Sequence, residues 1–282
     1  MTRSISATTR LAGVVGHPVR HSLSPLIHNA WIEAAGLDAV YLAFEPGKDR
    51  FRPFVEGLRG GVVLGLNVTI PFKEEALAVA DRASAAATRA GAANLLVLAR
   101  DGAIEADNTD GAGLMAALTM GGFDPSASRC VVLGAGGAAR GAVIALLDAG
   151  VPHVAVLNRT AARAEALAEL DPRITAHDWA DRAVLENAAA VINATSLGMT
   201  GQPPLELSLD PVPQTAVVMD MVYKPLRTEL LKAAERRGHP TADGLTMLIG
   251  QAAPSFQAIF DRPPPSHVGV RKLCLKALGE LP

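Results

Sequence analysis

With 282 residues, the chain can bury a large core and would usually divide into two domains. Its 49% hydrophobic and 19% charged residues are typical of a compact α/β protein and exclude a disordered or fibrous chain. The formal net charge of −2 gives no electrostatic reason to expect nucleic acid or an anionic membrane as a partner. No apolar run approaches the roughly 18 residues of a membrane span, and the N-terminus lacks the apolar core of a signal peptide, so we expect no membrane partner and a cytoplasmic location.

The first third of the chain alternates short β-like runs with helical segments. Strands are predicted at residues 11–15, 39–44 and 62–68. One helix has Ser24 as its cap and Pro25 at its first position and ends at Gly36, and another begins at Pro71 and carries Lys73 one turn inside it. This alternation predicts a mainly parallel sheet covered by helices.

From about Gly111 the alternation restarts with a cleaner rhythm. Strands are predicted at 130–133, 153–157, 189–192 and 216–219, and helices at 226–237, 245–260 and 268–278. Boundaries near Asn108 and Asp243 divide the chain into a first domain, residues 1–108 completed by the C-terminal helices of residues 244–282, and a second, residues 109–243. The predicted fold class is α/β with two domains, the second a Rossmann-like, doubly wound parallel sheet.

Two cysteines, Cys130 and Cys274, are too few for a disulfide framework, and neither has a spacing typical of zinc ligands. Cys130 opens an apolar run and is interpreted as a small, buried hydrophobic residue. We therefore expect no metal, and any acid–base chemistry falls to side chains.

A glycine-rich turn follows the strand at 130–133 and opens a helix, the context that a dinucleotide fingerprint requires. Gly134 permits the tight turn, Gly136 lets the backbone approach a pyrophosphate, and Ala139 takes the third glycine position at the helix–strand contact. Phosphate would lie at the helix N-terminus, where unpaired N–H groups favour an anion. The residues predicted to bind it are Gly134, Ala135, Gly136, Gly137 and Ala138.

The end of the next strand favours NADP over NAD. An NAD site usually carries an acidic residue there, whereas this chain has Asn158, Arg159 and Thr160, followed by Arg163. Guanidinium groups would bind a 2′-phosphate through charge-assisted hydrogen bonds. The alternative is that both arginines are ordinary solvated residues at a helix start.

Polar side chains gather at several predicted strand ends. Ser22 and Ser24 lie close to a helix N-terminus and would suit a carboxylate, although Ser24 is also a natural helix cap. Thr69 and Lys73 follow the strand at 62–68, and Asn94 follows a small-residue turn. Asp110 could partner the Lys73 amine or cap the helix after it, and Lys73 itself could be a solvated helix-start residue.

In their order along the chain, these segments resemble the shikimate dehydrogenases, including the related quinate/shikimate dehydrogenases. The resemblance covers nearly the whole chain. It rests on Ser22-Leu23-Ser24-Pro25, Asn67-Val68-Thr69-Ile70-Pro71-Phe72-Lys73, Asn108-Thr109-Asp110-Gly111, the loop from Gly134 to Arg140, Asn158-Arg159-Thr160, Asn193-Ala194-Thr195-Ser196-Leu197-Gly198-Met199, Asp220-Met221-Val222-Tyr223-Lys224-Pro225, Asp243-Gly244-Leu245 and Gln251.

The resemblance implies NADPH-dependent, reversible reduction of 3-dehydroshikimate to shikimate on the route to aromatic amino acids. It implies two α/β domains with the active site in the cleft between them, and Lys73 and Asp110 as the catalytic pair. Thr195, Gly244 and Met247 would line the nicotinamide side. The implied substrate-binding residues are Ser22, Ser24 and Tyr223 for the carboxylate, and Thr69, Lys73, Asn94, Asp110 and Gln251 for the ring.

The chain departs from the family pattern at two positions and leaves rival functions open. Thr246 stands where a glycine is frequent, and Leu95 where threonine is usual, which bears on the nicotinamide fit and on substrate contacts. One rival is a quinate/shikimate dehydrogenase with relaxed substrate or cofactor choice. Another is a non-catalytic NADP-sensing protein, which would have no need of Lys73 with Asp110. The expected partner is the small-molecule substrate, and a homodimer is compatible with the sequence.

Overall fold

The computed structural model describes residues 5–127 and 129–281. Its internal contacts divide the chain into two compact units. The first unit is Met1–Thr109 with Gln251–Pro282, and the second unit is Asp110–Gly250. Each contains a six-stranded sheet with helices, which confirms the predicted α/β class.

The first unit has a mixed sheet with the strand order β2-β1-β3-β5-β6-β4. Strand β5 runs antiparallel to both β3 and β6, so the sheet is less uniformly parallel than predicted. The strands β4, β5 and β6 were not predicted, because they are short and β5 and β6 form a hairpin that turns at Gly102. The elements of this unit before residue 110 are β1 (Arg10–Val15), α1 (Ser24–Ala34), β2 (Ala39–Phe44), α2 (Phe51–Glu56), β3 (Val63–Val68), α3 (Lys73–Val79), β4 (Arg82–Ala83), α4 (Ala85–Ala90), β5 (Leu95–Leu98) and β6 (Ile104–Asp107).

Two helices of the first unit begin at other residues than predicted. Ser24 is the first residue of α1 and makes no cap, so the prediction that Ser24 caps this helix is wrong. Helix α3 begins at Lys73 and not at Pro71, because the N–H of Phe72 donates to the C=O of Thr69 over 3.0 Å and closes a turn there. Lys73 is therefore the first residue of its helix.

The second unit has an all-parallel sheet with the strand order β12-β11-β10-β7-β8-β9. Its helix α8 begins three residues later than predicted, because Thr228 caps it by accepting the N–H of Leu231. From residue 110 onward the elements are α5 (Asp110–Met120), β7 (Arg129–Leu133), α6 (Gly137–Asp148), β8 (His153–Asn158), α7 (Ala161–Ala168), β9 (Ile174–Asp178), β10 (Ala188–Asn193), β11 (Val217–Asp220), α8 (Glu229–Arg236), β12 (Thr241–Asp243), α9 (Gly244–Phe260) and α10 (Val270–Leu278). The last part of α9, from Gln251, and all of α10 belong to the first unit.

Both faces of the second sheet are covered by apolar packing. Along β7, Cys130 and Val132 belong to a core cluster that includes Leu114 of α5 and Ala139 of α6. The alternate residues Val131 and Leu133 belong to a different cluster on the other face. This two-sided burial explains the near-continuous apolar strands and confirms the doubly wound arrangement.

Cys130 is fully buried, as predicted. Burial raises the pKa of its thiol to about 12, so the sulfur packs as a small hydrophobic group. Within residues 5–127 and 129–281, no helix combines the length and the apolar character that crossing a membrane requires.

Candidate active site

Polar residues of the first unit converge on one edge of its sheet. The parallel strands β1 and β3 end in register, with Val15 opposite Val68. Strand β5 starts at the same edge, where Leu95 pairs with Asp107 at the end of β6. The segments that enter or leave these strands therefore meet there, as ligand-binding segments do at the carboxyl ends of parallel strands. The predicted site residues in these segments are Ser22, Ser24, Thr69, Lys73 and Asn94.

Ser22 and Ser24 lie in the segment between β1 and α1. The Ser22 hydroxyl accepts the backbone N–H of Ser24 over 3.2 Å, a bond that was not predicted from the sequence. Ser24 is buried and Ser22 is partly exposed. Ser22 thus supports the local backbone while its hydroxyl hydrogen stays available as a donor.

Thr69 and Lys73 are held by backbone hydrogen bonds to neighbouring segments. The N–H of Thr69 donates to the C=O of Val15 over 2.9 Å, and the N–H of Ala93 donates to the C=O of Lys73 over 2.8 Å. The second bond places the start of α3 beside the residue that precedes Asn94. Both side chains are partly exposed at the sheet edge.

Asn94 and Gln251 lie at the centre of a buried polar cluster. Nδ2 of Asn94 donates to Oε1 of Gln251 over 3.3 Å, and Oδ1 of Asn94 accepts the N–H of Thr109 over 2.7 Å. The Thr109 hydroxyl lies 3.0 Å from that of Ser255. Nδ2 of Asn67 donates to the Ser255 hydroxyl over 2.9 Å, and these five residues are between 0% and 8% exposed. An amide offers both a donor and an acceptor, so this cluster suits a hydroxylated ligand.

Sequence reasoning missed Ser255 and Tyr41 as parts of this cluster. Ser255 follows Gln251 by four residues and lies on the same face of α9, which is the one signal that could have found it. The Tyr41 hydroxyl donates to Oδ1 of Asn67 over 2.8 Å, and its ring stacks on His28 at 4.2 Å. Leu95, one of the departures from the family pattern, is fully buried in β5, so it fills the core next to Asn94.

The glycine-rich turn of the second unit has the form expected for a dinucleotide site. Gly134 has φ +104°, which favours glycine, and its N–H donates to the C=O of Leu157 over 2.8 Å. Gly136 is the N-cap residue of α6 and Gly137 its first residue, and a Cβ added at either would meet no atom within 4 Å. Ala139 is fully buried against the sheet. The open, side-chain-free helix N-terminus fits a pyrophosphate.

Arg159 and Arg163 stand at the start of α7, beyond the end of β8. Both side chains are exposed, and none of the ion pairs found in the described part of the chain involves either of them. Thr160 is the N-cap residue of α7 but its hydroxyl makes no capping bond, and Asn158 donates to the C=O of Thr160 over 2.9 Å. Two exposed guanidinium groups beside a helix N-terminus fit the extra phosphate of NADP.

The remaining predicted cofactor residues lie at other strand ends of the second unit. Thr195 follows β10 and packs against Gly134, where an added Cβ would lie 2.9 Å from its Cγ2. Gly244 begins α9, and an added Cβ would lie 2.4 Å from the C=O oxygen of Met221, so close packing requires a glycine here. Met247 is partly buried against the core of this unit.

Tyr223 and Asp110 also belong to the second unit. Tyr223 lies in the segment after β11, and Asp110 is the first residue of α5, which runs to Met120. Thr246, the other departure from the family pattern, donates its N–H and its hydroxyl to Oδ1 of Asp243 over 2.7 and 2.9 Å. That threonine therefore stabilises the first turn of α9.

The second unit has a doubly wound parallel sheet with an open glycine turn, and the first unit bears a cluster of buried amides and hydroxyls. Together, these features define a two-domain, dinucleotide-dependent oxidoreductase of the α/β class. Residues 14–96 match the sequence family described as shikimate dehydrogenase substrate binding domain, and residues 115–199 match shikimate / quinate 5-dehydrogenase. The chain belongs to the shikimate dehydrogenase family.

Individual relatives are similar along their full length. The chain is 56% identical over 285 residues, covering 100% of both chains, to a shikimate dehydrogenase (NADP(+)) of Caulobacter vibrioides. It is 34% identical to shikimate 5-dehydrogenase of Thermus thermophilus in complex with NADP(H) and shikimate, with a TM-score of 0.86 and coverage of 95% of this chain and 99% of that one. It is 33% identical to shikimate 5-dehydrogenase of Listeria monocytogenes in complex with shikimate and NAD, with a TM-score of 0.90 and coverage of 97% and 99%.

Proposed function

We propose that this chain catalyses the NADPH-dependent, reversible reduction of 3-dehydroshikimate to shikimate in aromatic amino acid biosynthesis. The observation that carries the proposal is the pairing, on one chain, of two sites of different chemistry. The first unit holds a buried cluster of amides and hydroxyls at its sheet edge. The second unit holds an open glycine turn followed by two exposed arginines. The full-length similarity to shikimate dehydrogenases supports the same reaction.

The substrate carries a carboxylate and ring hydroxyls, and the two groups call for different partners. Ser22 and Ser24, with help from Tyr223, donate hydroxyl hydrogens to the carboxylate. The ring hydroxyls bind to Thr69, Lys73, Asn94, Asp110 and Gln251. Because the two amides are buried in one hydrogen-bonded cluster, a substrate must place hydroxyl groups where they can join that cluster, which is a source of specificity.

The cofactor residues divide by the part of NADPH that they bind. The backbone of Gly134, Ala135, Gly136, Gly137 and Ala138 would hold the pyrophosphate at the N-terminus of α6. The 2′-phosphate is bound by Arg159, Arg163 and Thr160, with Asn158 shaping the turn. Thr195, Gly244 and Met247 would line the nicotinamide side. When bound, the nicotinamide supplies the hydride that reduces the substrate carbonyl.

Lys73 and Asp110 carry the acid–base part of the reaction. Negative charge develops on the carbonyl oxygen as the substrate is reduced, and the Lys73 ammonium stabilises that oxygen and gives it a proton. The Asp110 carboxylate orients the ammonium group. In the reverse direction Lys73 takes the proton back from the hydroxyl group. The cytoplasmic location and a homodimer, both expected from the sequence, stay predictions.

Product identification tests this proposal. Purified protein is incubated with 3-dehydroshikimate and NADPH, and the product is separated and identified by mass spectrometry, with Lys73→Ala as the matched variant of reduced turnover. We expect shikimate in an amount equal to the NADPH consumed. If the unchanged protein binds NADPH but forms no shikimate, the proposal is wrong.

A further inference from the structure

Asp220 is a buried carboxylate that takes no part in the proposed chemistry. It is the last residue of β11 and is fully buried. Its Oδ1 accepts Nδ2 of Asn193 over 2.9 Å and the N–H of Val222 over 3.0 Å, and its Oδ2 accepts the hydroxyl of Thr228 over 2.7 Å. None of these donors is a cation, and burial raises the pKa of the carboxyl group. Burying a carboxyl group costs free energy unless it is hydrogen-bonded. The three donors offset this cost and hold the group in one orientation.

Asn193 transmits this orientation to the next turn. It is the last residue of β10 and pairs in register with Asp220. Besides Asp220, its Nδ2 donates to the C=O of Leu197 over 3.2 Å, while its Oδ1 accepts the N–H and the hydroxyl of Thr195 over 3.0 and 2.7 Å. Both amide hydrogens and both lone pairs of the oxygen are therefore used.

The carboxylate on one side and the Thr195 N–H on the other fix which way the Asn193 amide faces. An asparagine amide can turn by half a rotation and exchange its oxygen and its nitrogen. A carboxylate accepts only, so Nδ2 must face Asp220 and Oδ1 must face Thr195. In the opposite orientation Nδ2 would meet the Thr195 N–H, donor against donor, and a buried donor would lose its acceptor.

Thr195 in turn touches the dinucleotide turn. Its methyl group occupies the space beside Gly134, where an added Cβ would lie 2.9 Å from Cγ2. The hydroxyl of Thr195 also accepts the N–H of Leu197 over 3.1 Å, which closes the turn after β10. A change in the Asn193 amide would thus move the side chain that packs against the glycine turn.

We propose that Asp220 is a positioning residue for the dinucleotide site, acting through Asn193 and Thr195 on the turn at Gly134. The inference rests on the proposed binding of NADP at that turn and deepens it. Asp220 acts only through these residues. Its role is to hold the Thr195 side chain, and with it the glycine turn, in the shape that receives the cofactor.

Titration of NADP and of NAD into the protein by calorimetry, without substrate, tests this inference. Asp220→Ala removes the acceptor, so we expect the dissociation constants of both dinucleotides to rise together by roughly tenfold, the factor for about one hydrogen bond. Asp220→Asn keeps an oxygen toward Asn193 and Val222, so its affinities should stay close to those of the unchanged protein. If Asp220→Ala does not fold, Asp220→Ser replaces it with the same expectation.

Thr228→Val is the control for a merely structural role. It removes a donor from the same carboxylate and the cap of α8 but leaves the contacts from Asp220 to Thr195 in place. We expect it to lower the midpoint of thermal unfolding without weakening either dinucleotide. The positioning role would be overturned if Asp220→Ala bound both dinucleotides as tightly as the unchanged protein. It would also be overturned if Asp220→Ala and Thr228→Val lost the same dinucleotide affinity. Failure of the unchanged protein to bind NADP would instead overturn the proposed function.

Discussion

The side-chain amides of Asn94 and Gln251 meet over 3.3 Å, although 157 residues separate them in the sequence. The bond joins the residue that precedes β5 to α9 within the first unit. Thr109 contacts both amides, through its N–H to Oδ1 of Asn94 over 2.7 Å and through its hydroxyl to Oε1 of Gln251 over 3.3 Å, and the Ser255 hydroxyl lies 3.0 Å from that of Thr109. The proposed recognition of ring hydroxyls therefore depends on α9, a helix from the C-terminal part of the chain whose residues from Gln251 onward belong to the first unit.

Arg159→Ala should weaken NADP more than NAD. Arg159 is exposed and stands where an NAD site usually carries an acidic residue, and a charge-assisted hydrogen bond to the 2′-phosphate exists only with NADP. We expect the KM for NADP to rise by roughly tenfold or more while that for NAD changes little. Steady-state kinetics with each cofactor measure this. Arg100→Ala, an exposed arginine of the first unit, is the control, and equal effects of Arg159→Ala on both cofactors would contradict the assignment.

Ser22→Ala should weaken substrate binding with little loss of stability. The Ser22 hydroxyl makes one 3.2 Å bond to the Ser24 N–H, whereas Ser84 is a true N-cap that accepts the N–H of Ala87. Ser84→Ala should therefore cost about 1 kcal/mol of stability and serves as the comparison. We expect Ser22→Ala to raise the KM for shikimate and leave that for NADP unchanged. A drop in thermal stability with intact shikimate binding would show that the hydroxyl only supports the backbone.

Much of the fold was predictable because of how its strands are buried. Strands β7, β8, β10 and β11 are apolar except at their ends, since both faces of the second sheet are covered, and glycine or polar turns bound them. Strand β9 was missed because it carries threonine, histidine and aspartate. Strand β12 was missed because it has three residues.

The candidate site was predictable only where its residues lie at strand ends. Thr69 and Asn94 were predicted in this way, whereas Thr195 followed only from the family resemblance. The partners that orient the site come from far along the chain: Asn67 bonds to Ser255 at a separation of 188 residues, and Asn193 to Asp220 at 27. Tertiary packing brings these pairs together, and no local pattern encodes it.

Lys73→Ala should reduce kcat by roughly 10²–10⁴-fold, the usual contribution of a positioned acid or base, with a smaller change in the KM for shikimate. Asp110→Asn should also slow turnover. The double variant should be little slower than the more damaging single variant, because groups that act as one unit are not additive. Lys272→Ala, on the exposed face of α10, is the control. A fully active Lys73→Ala enzyme would exclude this mechanism, and strictly additive losses would show that the two residues act separately.

His28 should make the protein less stable in acid. Burial lowers its pKa from 6.5 to about 3, so the native state keeps the ring neutral while the unfolded chain protonates it below 6.5. Protonation of His28 in the unfolded chain therefore does not reduce the free energy of unfolding above about pH 6.5. It reduces this free energy by about 1.4 kcal/mol per pH unit as pH drops from there toward 3. Urea unfolding at several pH values should show a shallower loss for His28→Phe. The exposed His267→Phe should match the unchanged protein, and identical slopes for all three would refute the role of His28.

The central claim is that the chain is a shikimate dehydrogenase that uses NADP. It is tested most directly by steady-state kinetics of the purified protein, with shikimate and quinate each oxidised by NADP and by NAD. The amide cluster of Asn94 and Gln251 together with the exposed guanidinium of Arg159 predicts that kcat/KM is highest for shikimate with NADP. Lower values are expected for the other three combinations. A preference for quinate, equal use of NAD, or no turnover of shikimate by protein that binds NADP would contradict it.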